Sequence, residues 1–238
     1  MGLMDLYSKR ERVATIAFLK MVANSDHILK NEELDVINLL AKNIYVEEHD
    51  IKDLGESKLK FTLKNMTKAK VNELLRMAYT ILDIDDNIHI EEMKLLEYLA
   101  NIHHIRLDND QELNELLFAS EALTPLDRVI MLSLVYQMMF VDSKVHNNEL
   151  KLLESICNDM NVSKDDLKGL VVPIDSLVKA IKTMSLPSIT RILKELIKVA
   201  LSDGEFSKEE FEIVFPIFSE LNLDIDKLIH SVEKELEV

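Results

Sequence analysis

The stretch LSDGEFSKEEFEIV, Leu201 to Val214, carries the pattern from which the fold follows. Its spacing matches the second half of an EF-hand calcium loop, in which a Gly follows the fifth position, an apolar residue occupies position 8 and a Glu closes the loop at position 12. Asp203, Gly204, Phe206 and Glu210 fill those places. An acidic turn between two helices would have the same composition, so the stretch allows two interpretations.

This pattern occurs four times along the chain at nearly constant spacing. Each copy has an Asp, an apolar residue three positions later and a Glu seven positions later. The four segments are SDHILKNEEL from Ser25, IDDNIHIEEM from Ile84, VDSKVHNNEL from Val141 and SDGEFSKEEF from Ser202. Their Asp residues lie 59, 57 and 61 positions apart, and alternate copies match each other best. We therefore expect a duplicated unit with two half-repeats in each copy.

Longer alignments place the duplication in the chain. Residues from Ser8 onward overlay residues from Thr124 onward. This overlay predicts two tandem domains of about equal length, 5–118 and 121–238, with their boundary near Ala119 to Pro125.

Helix signals recur in each half-repeat, where one apolar-periodic helix ends before the Asp and another starts at the acidic residues. Ser8 with Glu11, and Thr124 with Asp127, are typical helix starts because the hydroxyl caps an early amide and the acid reaches back. Only four Gly and four Pro occur in 238 residues, which disfavours β-hairpins. A short acidic segment after each second helix is expected to add one or two turns. We predict an all-α fold of two tandem helical bundles, each built from two helix-turn-helix half-repeats.

Charge and glycine content exclude several classes of function. Lys and Arg number 28 against 43 Asp and Glu, and the net charge of −15 repels nucleic acids and anionic membranes. The four Gly residues are never clustered, so the sequence lacks the Gly-rich loops that bind phosphates and dinucleotides. No motif pairs a nucleophile with a base, and we expect no enzyme activity. The expected partners are cations and proteins with a basic or amphipathic surface.

The longest nearly apolar run, Val129 to Val141, has 13 residues and contains Ser133 and Gln137. It is too short to span a bilayer, so we expect a buried helix and no transmembrane segment. Cys157 is the only cysteine of the sequence and stands at core spacing, which favours a cytoplasmic location without disulfides. The oligomeric state does not follow from the sequence.

At the four acidic stretches the chain resembles the TerB-like family, named for tellurite-resistance proteins and related to the N-terminal domain of a membrane-anchored J-domain co-chaperone. That family carries an Asp-Gly signature followed by two Glu twice per domain, and LSDGEFSKEEF is the best copy here. The other three copies lack the Gly and have His27, Asp86 and Ser143 in its place. In the third copy Asn148 replaces the first Glu. The resemblance covers nearly the whole chain. It implies an acidic helical module that binds a metal or another ligand in stress-response or membrane-associated complexes, and it carries over no catalytic residue.

The Asp and Glu of each copy are the candidate metal ligands. A complete EF-hand is excluded because loop positions 1 and 3 also need oxygen ligands, which three of the four copies lack. Another arrangement remains open, in which Asp and Glu face each other across the turn and two such pairs per domain hold a hard divalent cation. The candidate ligands are Asp26, Glu33, Asp85, Glu92, Asp142, Glu149, Asp203 and Glu210.

The competing interpretation is that these acids only stabilise helix ends. Ser207 and Glu210 form a capping box, and Gly204 suits a left-handed helix end. A cap stabilises a helix by ~1 kcal/mol, which is enough to explain the residue types. We expect capping to dominate and any cation to bind weakly, with the better site in the C-terminal domain because Gly204 lets the turn close without a Cβ.

Two other features receive a structural interpretation. His89 and His146 occupy the same aligned position, which is Lys30 and Ser207 in the other copies, so we interpret them as surface residues. The run Lys58 to Lys70 holds five lysines and no acid, and we interpret it as a solvated connector.

Two functions from different classes remain open. The first is a non-enzymatic interaction module whose acidic surface or interdomain groove holds a basic or amphipathic partner. The second is a divalent-cation binder or sensor that uses the paired Asp and Glu residues.

Overall fold

The computed structural model describes residues 7–25, 30–85, 88–107, 123–141, 145, 147–160, 172–202, 206–221 and 223–236. The secondary structure of these residues is helical throughout and contains no strand, which confirms the predicted all-α fold. A one-turn 3₁₀ helix, Asp83–Asp85, follows the fourth α-helix. The α-helices are α1 Lys9–Ala23, α2 Asn31–Asn43, α3 Glu48–Asn65, α4 Lys68–Leu82, α5 Ile90–Ile102, α6 Pro125–Phe140, α7 Asn147–Met160, α8 Ile174–Lys182, α9 Leu186–Ala200, α10 Lys208–Glu220 and α11 Ile225–Leu236.

The predicted helix starts are present where capping residues were identified. Ser8 N donates to Glu11 Oε2 at 2.7 Å, which closes the capping box of α1. Thr124 N donates to Asp127 Oδ2 at 2.8 Å, which does the same for α6. The apolar run from Val129 forms most of α6 and is largely buried, as predicted, except at its end, where Phe140 and Val141 are exposed. Within the described ranges, no helix is both long enough and apolar enough to cross a membrane.

The helices of the N-terminal half pack in the same pairs as those of the C-terminal half. In the first half α1 contacts α2, α3, α4 and α5, while in the second half α6 contacts α7, α8, α9 and α10. The pairs α2 with α4, α3 with α5 and α4 with α5 likewise correspond to α7 with α9, α8 with α10 and α9 with α10. This agreement supports the predicted duplication. The limits at 118 and 121 lie outside the described residues, so the division into two domains stays a prediction.

The interface between the halves is part of the hydrophobic core. Helix α2 packs against α6 and α8, and α4 packs against α6. The buried apolar side chains of both halves form one continuous cluster, to which Phe18 and Leu74 belong in the first half and Leu132 and Ile192 in the second. Because apolar surface removed from water is the main stabilising contribution to a fold, separating the halves would carry a large cost.

A buried polar cluster crosses this interface. Arg76 Nη2 of α4 lies 3.9 Å from Asp127 Oδ2 of α6, and the two side chains are 9% and 4% exposed. Asp127 also accepts hydrogen bonds from Thr124 N at 2.8 Å and from Ser188 Oγ at 3.4 Å. Burial raises the pKa of Asp127, and this effect outweighs the hydrogen bonds from Thr124 and the Arg76 guanidinium, which lower it. The start of α6 is thus anchored to both halves.

Two segments differ from the sequence-based expectation. The run Lys58 to Lys70 is not a connector, because residues up to Asn65 lie in α3 and residues from Lys68 lie in α4. Leu59 and Leu63 are buried one turn apart, so this segment has an apolar face that the lysine count concealed. The last acidic segment was expected to add one or two turns, whereas α11 has 12 residues.

Gly55 interrupts α3 with φ 64° and ψ 160°. An added Cβ would meet no atom within 4 Å, so the cost of substitution is conformational rather than steric. Only Gly adopts this region readily. We expect Gly55→Ala to lower the free energy of unfolding by about 1–3 kcal/mol in urea titrations. Ser57→Ala, an exposed change in the same helix, should stay within about 0.5 kcal/mol. Equal effects of the two substitutions would contradict this account of Gly55.

The raised pKa of Asp127 predicts a pH-dependent stability. The folded protein holds this proton more tightly than the unfolded chain, so the stability it provides is present below the unfolded value of about 3.9 and is lost as the pH rises through the folded value. Asn stays uncharged at every pH. In urea titrations from about pH 4 to 7, the stability difference between the wild type and Asp127→Asn should therefore shift steadily in favour of the variant as the pH rises. A constant difference would show that Arg76 fully compensates the buried charge.

Candidate functional site

The four candidate glutamates occupy equivalent buried positions. Each stands in the first turn of the second helix of its half-repeat, in α2, α5, α7 and α10. The exposed fractions are 3% for Glu33, 3% for Glu92, 4% for Glu149 and 6% for Glu210. A carboxylate is costly to bury unless hydrogen bonds or charges compensate the lost hydration, so the partners of these side chains decide their role.

Three of these carboxylates bind the backbone at the start of their own helix. Glu210 Oε2 accepts from Ser207 N at 2.8 Å, and Ser207 Oγ accepts from Glu210 N at 3.1 Å. This confirms the predicted capping box. Glu33 Oε2 accepts from Lys30 N at 3.0 Å and Glu92 Oε2 accepts from His89 N at 2.7 Å.

At α2 and α5 the Glu caps the helix although no typical capping residue precedes it. Lys30 and His89 precede these helices and lack the short hydroxyl or carboxyl side chains that usually cap one. The available signal was the Glu three residues later, which reaches back to the amide whatever the capping residue is.

The aspartate half of the predicted metal site is not tested. Asp26, Asp142 and Asp203 lie outside the described residues, as does His146. Asp85 ends the 3₁₀ turn, and its side chain lies outside the described part of the structure. Within the described ranges, no group of three or more His, Cys, Asp and Glu residues is arranged to hold a metal ion. The cation site stays a prediction.

A groove of about 770 Å³ lies between the two halves. We call it the inter-half groove. Its apolar lining is Ile84 from the first half and Val178, Phe215 and Pro216 from the second. The charged lining residues are Glu32, Asp175, Lys179, Lys182 and Glu220. The groove therefore combines apolar side chains with five charged groups, and both halves contribute to each set.

Both lysines of the groove are paired with glutamates. Lys179 Nζ lies 2.8 Å from Glu32 Oε1 and thereby links α8 to α2 across the halves. This hydrogen bond lowers the pKa of Glu32. Lys182 Nζ lies 2.9 Å from Glu220 Oε1. Asp175 is exposed and makes no ion pair with another described residue, so the charged lining carries one more carboxylate than ammonium groups.

A row of three aromatic rings ends at the groove, which Phe215 lines. We define the aromatic row as Phe206, Phe211 and Phe215. The rings of Phe211 and Phe215 stack with centroids 5.2 Å apart, and Phe206 meets Phe211 edge-on at 6.0 Å. Phe215 is 50% exposed and Phe211 is 37% exposed. Adjoining exposed apolar side chains of this size mark interaction surfaces more often than scattered ones do.

The aromatic row belongs to the second half alone. The corresponding residues of the first half, 118 positions earlier, are Ile88, Met93 and Glu97. In the repeated pattern, Phe206 counts only as the apolar residue three positions after the Asp. A comparison of the two halves outside the repeated pattern would have found the row, because aromatic residues replace aliphatic and acidic ones there.

Comparison with known proteins finds no relative. No protein-family model, no curated protein and no solved structure matches the chain. The resemblance to the TerB-like family therefore rests on the four acidic stretches alone and stays a prediction.

Glu210→Gln separates capping from cation binding. Gln keeps an oxygen that can accept from Ser207 N but brings no charge to a metal. We expect a loss below ~1 kcal/mol in urea titrations. Thermal melts with excess EDTA, Ca²⁺, Mg²⁺, Mn²⁺ or Zn²⁺ should give at most a weak cation effect, the same in wild type and variant. The control is Glu209→Gln, which removes one negative charge at an exposed position in the same helix turn. A large stabilisation by one cation that disappears only in Glu210→Gln would show that the acids hold metal.

Proposed function

We propose that the protein is a non-enzymatic interaction module that holds a basic, amphipathic segment of a partner protein in the inter-half groove. The observation that carries this proposal is the exposed, stacked pair Phe211 and Phe215 at the edge of a groove with an apolar lining. Exposed rings gain apolar contact on binding and lose little conformational entropy, because an aromatic side chain has few rotatable bonds.

The shape of the groove favours an extended or helical segment over a flat surface. Ile84 and Val178 supply apolar contacts from opposite halves, and Phe215 continues the apolar surface along α10. An amphipathic helix that binds in such a groove buries one apolar face and leaves its polar face in water. Aromatic residues at the centre of an interface usually contribute most to affinity.

The charge of the protein favours a basic partner. The lysines of the groove are neutralised by Glu32 and Glu220, which leaves the carboxylate of Asp175 for a cation on the partner. The net charge of −15 adds long-range attraction for a basic segment and raises its association rate at low salt. Repulsion of like charge argues against nucleic acids and anionic membranes as partners.

A designed peptide tests this proposal. The probe is a fluorescein-labelled helical peptide of Leu and Lys with one apolar face, and a Leu and Glu peptide of the same pattern is the peptide control. Fluorescence anisotropy should show saturable binding of the basic peptide alone. Phe215→Ser should weaken this binding about tenfold or more, since truncation of a central aromatic residue typically costs more than 1 kcal/mol.

The matched control variant is Tyr98→Ser. Tyr98 is 51% exposed and lies on α5, the helix of the first half that corresponds to α10. Its removal should leave the affinity unchanged. Equal weakening by both substitutions, or none by either, would show that peptide binding follows general charge and not the groove.

A further inference from the structure

The duplication places one cavity at equivalent positions in the two halves. In the first half the cavity has a volume of about 10 Å³, too small for more than a water molecule. In the second half it has a volume of about 180 Å³. The lining residues of the first cavity include Tyr7, Arg12, Leu40 and Met77. Their counterparts 116 or 118 positions later, Leu123, Arg128, Ile156 and Glu195, line the second.

Two groups close the cavity of the first half. Tyr7 reaches across it, and its hydroxyl donates to Glu73 Oε2 at 2.7 Å. Pro125, the first residue of α6, comes from the other half and completes the lining. In the second half Leu123 replaces the Tyr ring and Arg191 stands at the position of Glu73. Among the described residues, none takes the place of Pro125 in the lining of the second cavity, which is the larger of the two.

The second cavity contains two arginines without partners among the described residues. Arg128 lies on α6 and Arg191 lies on α9, and neither guanidinium makes an ion pair or hydrogen bond within the described ranges. The carboxylates of Asp159 and Glu195 also line the cavity. Glu195 is engaged by Lys198, whose Nζ lies 3.1 Å away. The two arginines and the two carboxylates of the lining balance in charge, and Lys198, which does not line the cavity, also lies 3.5 Å from Glu235.

We propose that this cavity, which we call the arginine cavity, binds a small organic anion through its carboxylate or phosphate group. Arg128 and Arg191 hold the anionic oxygens, because the planar guanidinium fork matches both groups in a bidentate geometry. Leu123, Met131 and Ile156 provide an apolar lining for the carbon frame of the ligand. Asp159 offers an acceptor for a hydroxyl or amino group on the same molecule.

The volume of the cavity limits the size of the ligand. A cavity of about 180 Å³ is smaller than the pockets of roughly 300–1,000 Å³ that hold drug-sized molecules. It suits a frame of a few carbon atoms with one anionic group. The arginine cavity shares no lining residue with the inter-half groove, so this proposal does not depend on the proposed function.

Two three-carbon probes with a hydroxyl distinguish the anionic groups. Lactate carries a carboxylate and glycerol 3-phosphate carries a phosphate. Each is titrated against the full chain at constant ionic strength with sodium chloride, and binding is followed by calorimetry and by the melting temperature. We expect saturable binding of at least one probe. Binding of neither, or the same response to chloride, would overturn the proposal.

Three variants locate the site. Arg191→Gln and Arg128→Gln should each weaken binding of the probe about tenfold or more, since each removes a charge-assisted hydrogen bond to the anion. Leu123→Tyr, which restores the ring that closes the first cavity, should abolish binding while both arginines remain. Arg106→Gln removes an exposed arginine elsewhere and should change nothing. Unfolding in the absence of probe verifies that each variant is folded, and unchanged affinity in folded Arg191→Gln and Leu123→Tyr would refute the site.

Discussion

A carboxylate that returns to the backbone at the start of its own helix is the interaction on which this architecture depends. It recurs three residues after the capping position in α1, α2, α3, α5, α6 and α10. The accepting residues are Glu11, Glu33, Asp50, Glu92, Asp127 and Glu210. Each satisfies an amide that would otherwise lack a partner at a helix start, and its charge lies at the positive end of the helix dipole. In a chain with four Gly and four Pro, helix boundaries depend on such side chains more than on turn residues.

The same interaction explains why the repeated Glu is retained where the rest of the signature changes. Helix α5 follows His89 and α2 follows Lys30, and neither residue supplies a hydroxyl, yet the Glu of each helix still binds the amide of that residue. Burial of these acids is consistent with a structural role, because their hydrogen bonds to the backbone offset part of the lost hydration. Glu33, Glu92 and Glu210 thus each have a local structural role at a helix start.

The two halves have similar helix packing, but the contact between them buries positions in one half whose equivalents in the other half are exposed. Helix α2 is covered by α6 and α8, and its Leu39 and Asn43 are buried. The corresponding helix α7 packs mainly on α6 and α9 among the described helices, and Ser155 and Asp159 at the equivalent positions are exposed. Polar residues on an outer repeat keep its surface soluble. The arginine cavity and the aromatic row also belong to the second half, so the halves diverge at the two surfaces for which binding is proposed.

The sequence by itself determined the helical class and several helix starts, because these depend on residues within one or two turns of each other, and the repeat, because its pattern recurs at nearly constant spacing. Ser8 with Glu11 and Ser207 with Glu210 are local pairs, and the nearly apolar run from Val129 indicated that α6 is largely buried. Only the tertiary structure decided which surfaces remain accessible. Lys179 and Glu32 are 147 positions apart, and no spacing rule connects them. Pro125 of the second half likewise lines a cavity of the first half. Packing between the halves brings such residues together, and their separation along the chain follows no periodic pattern.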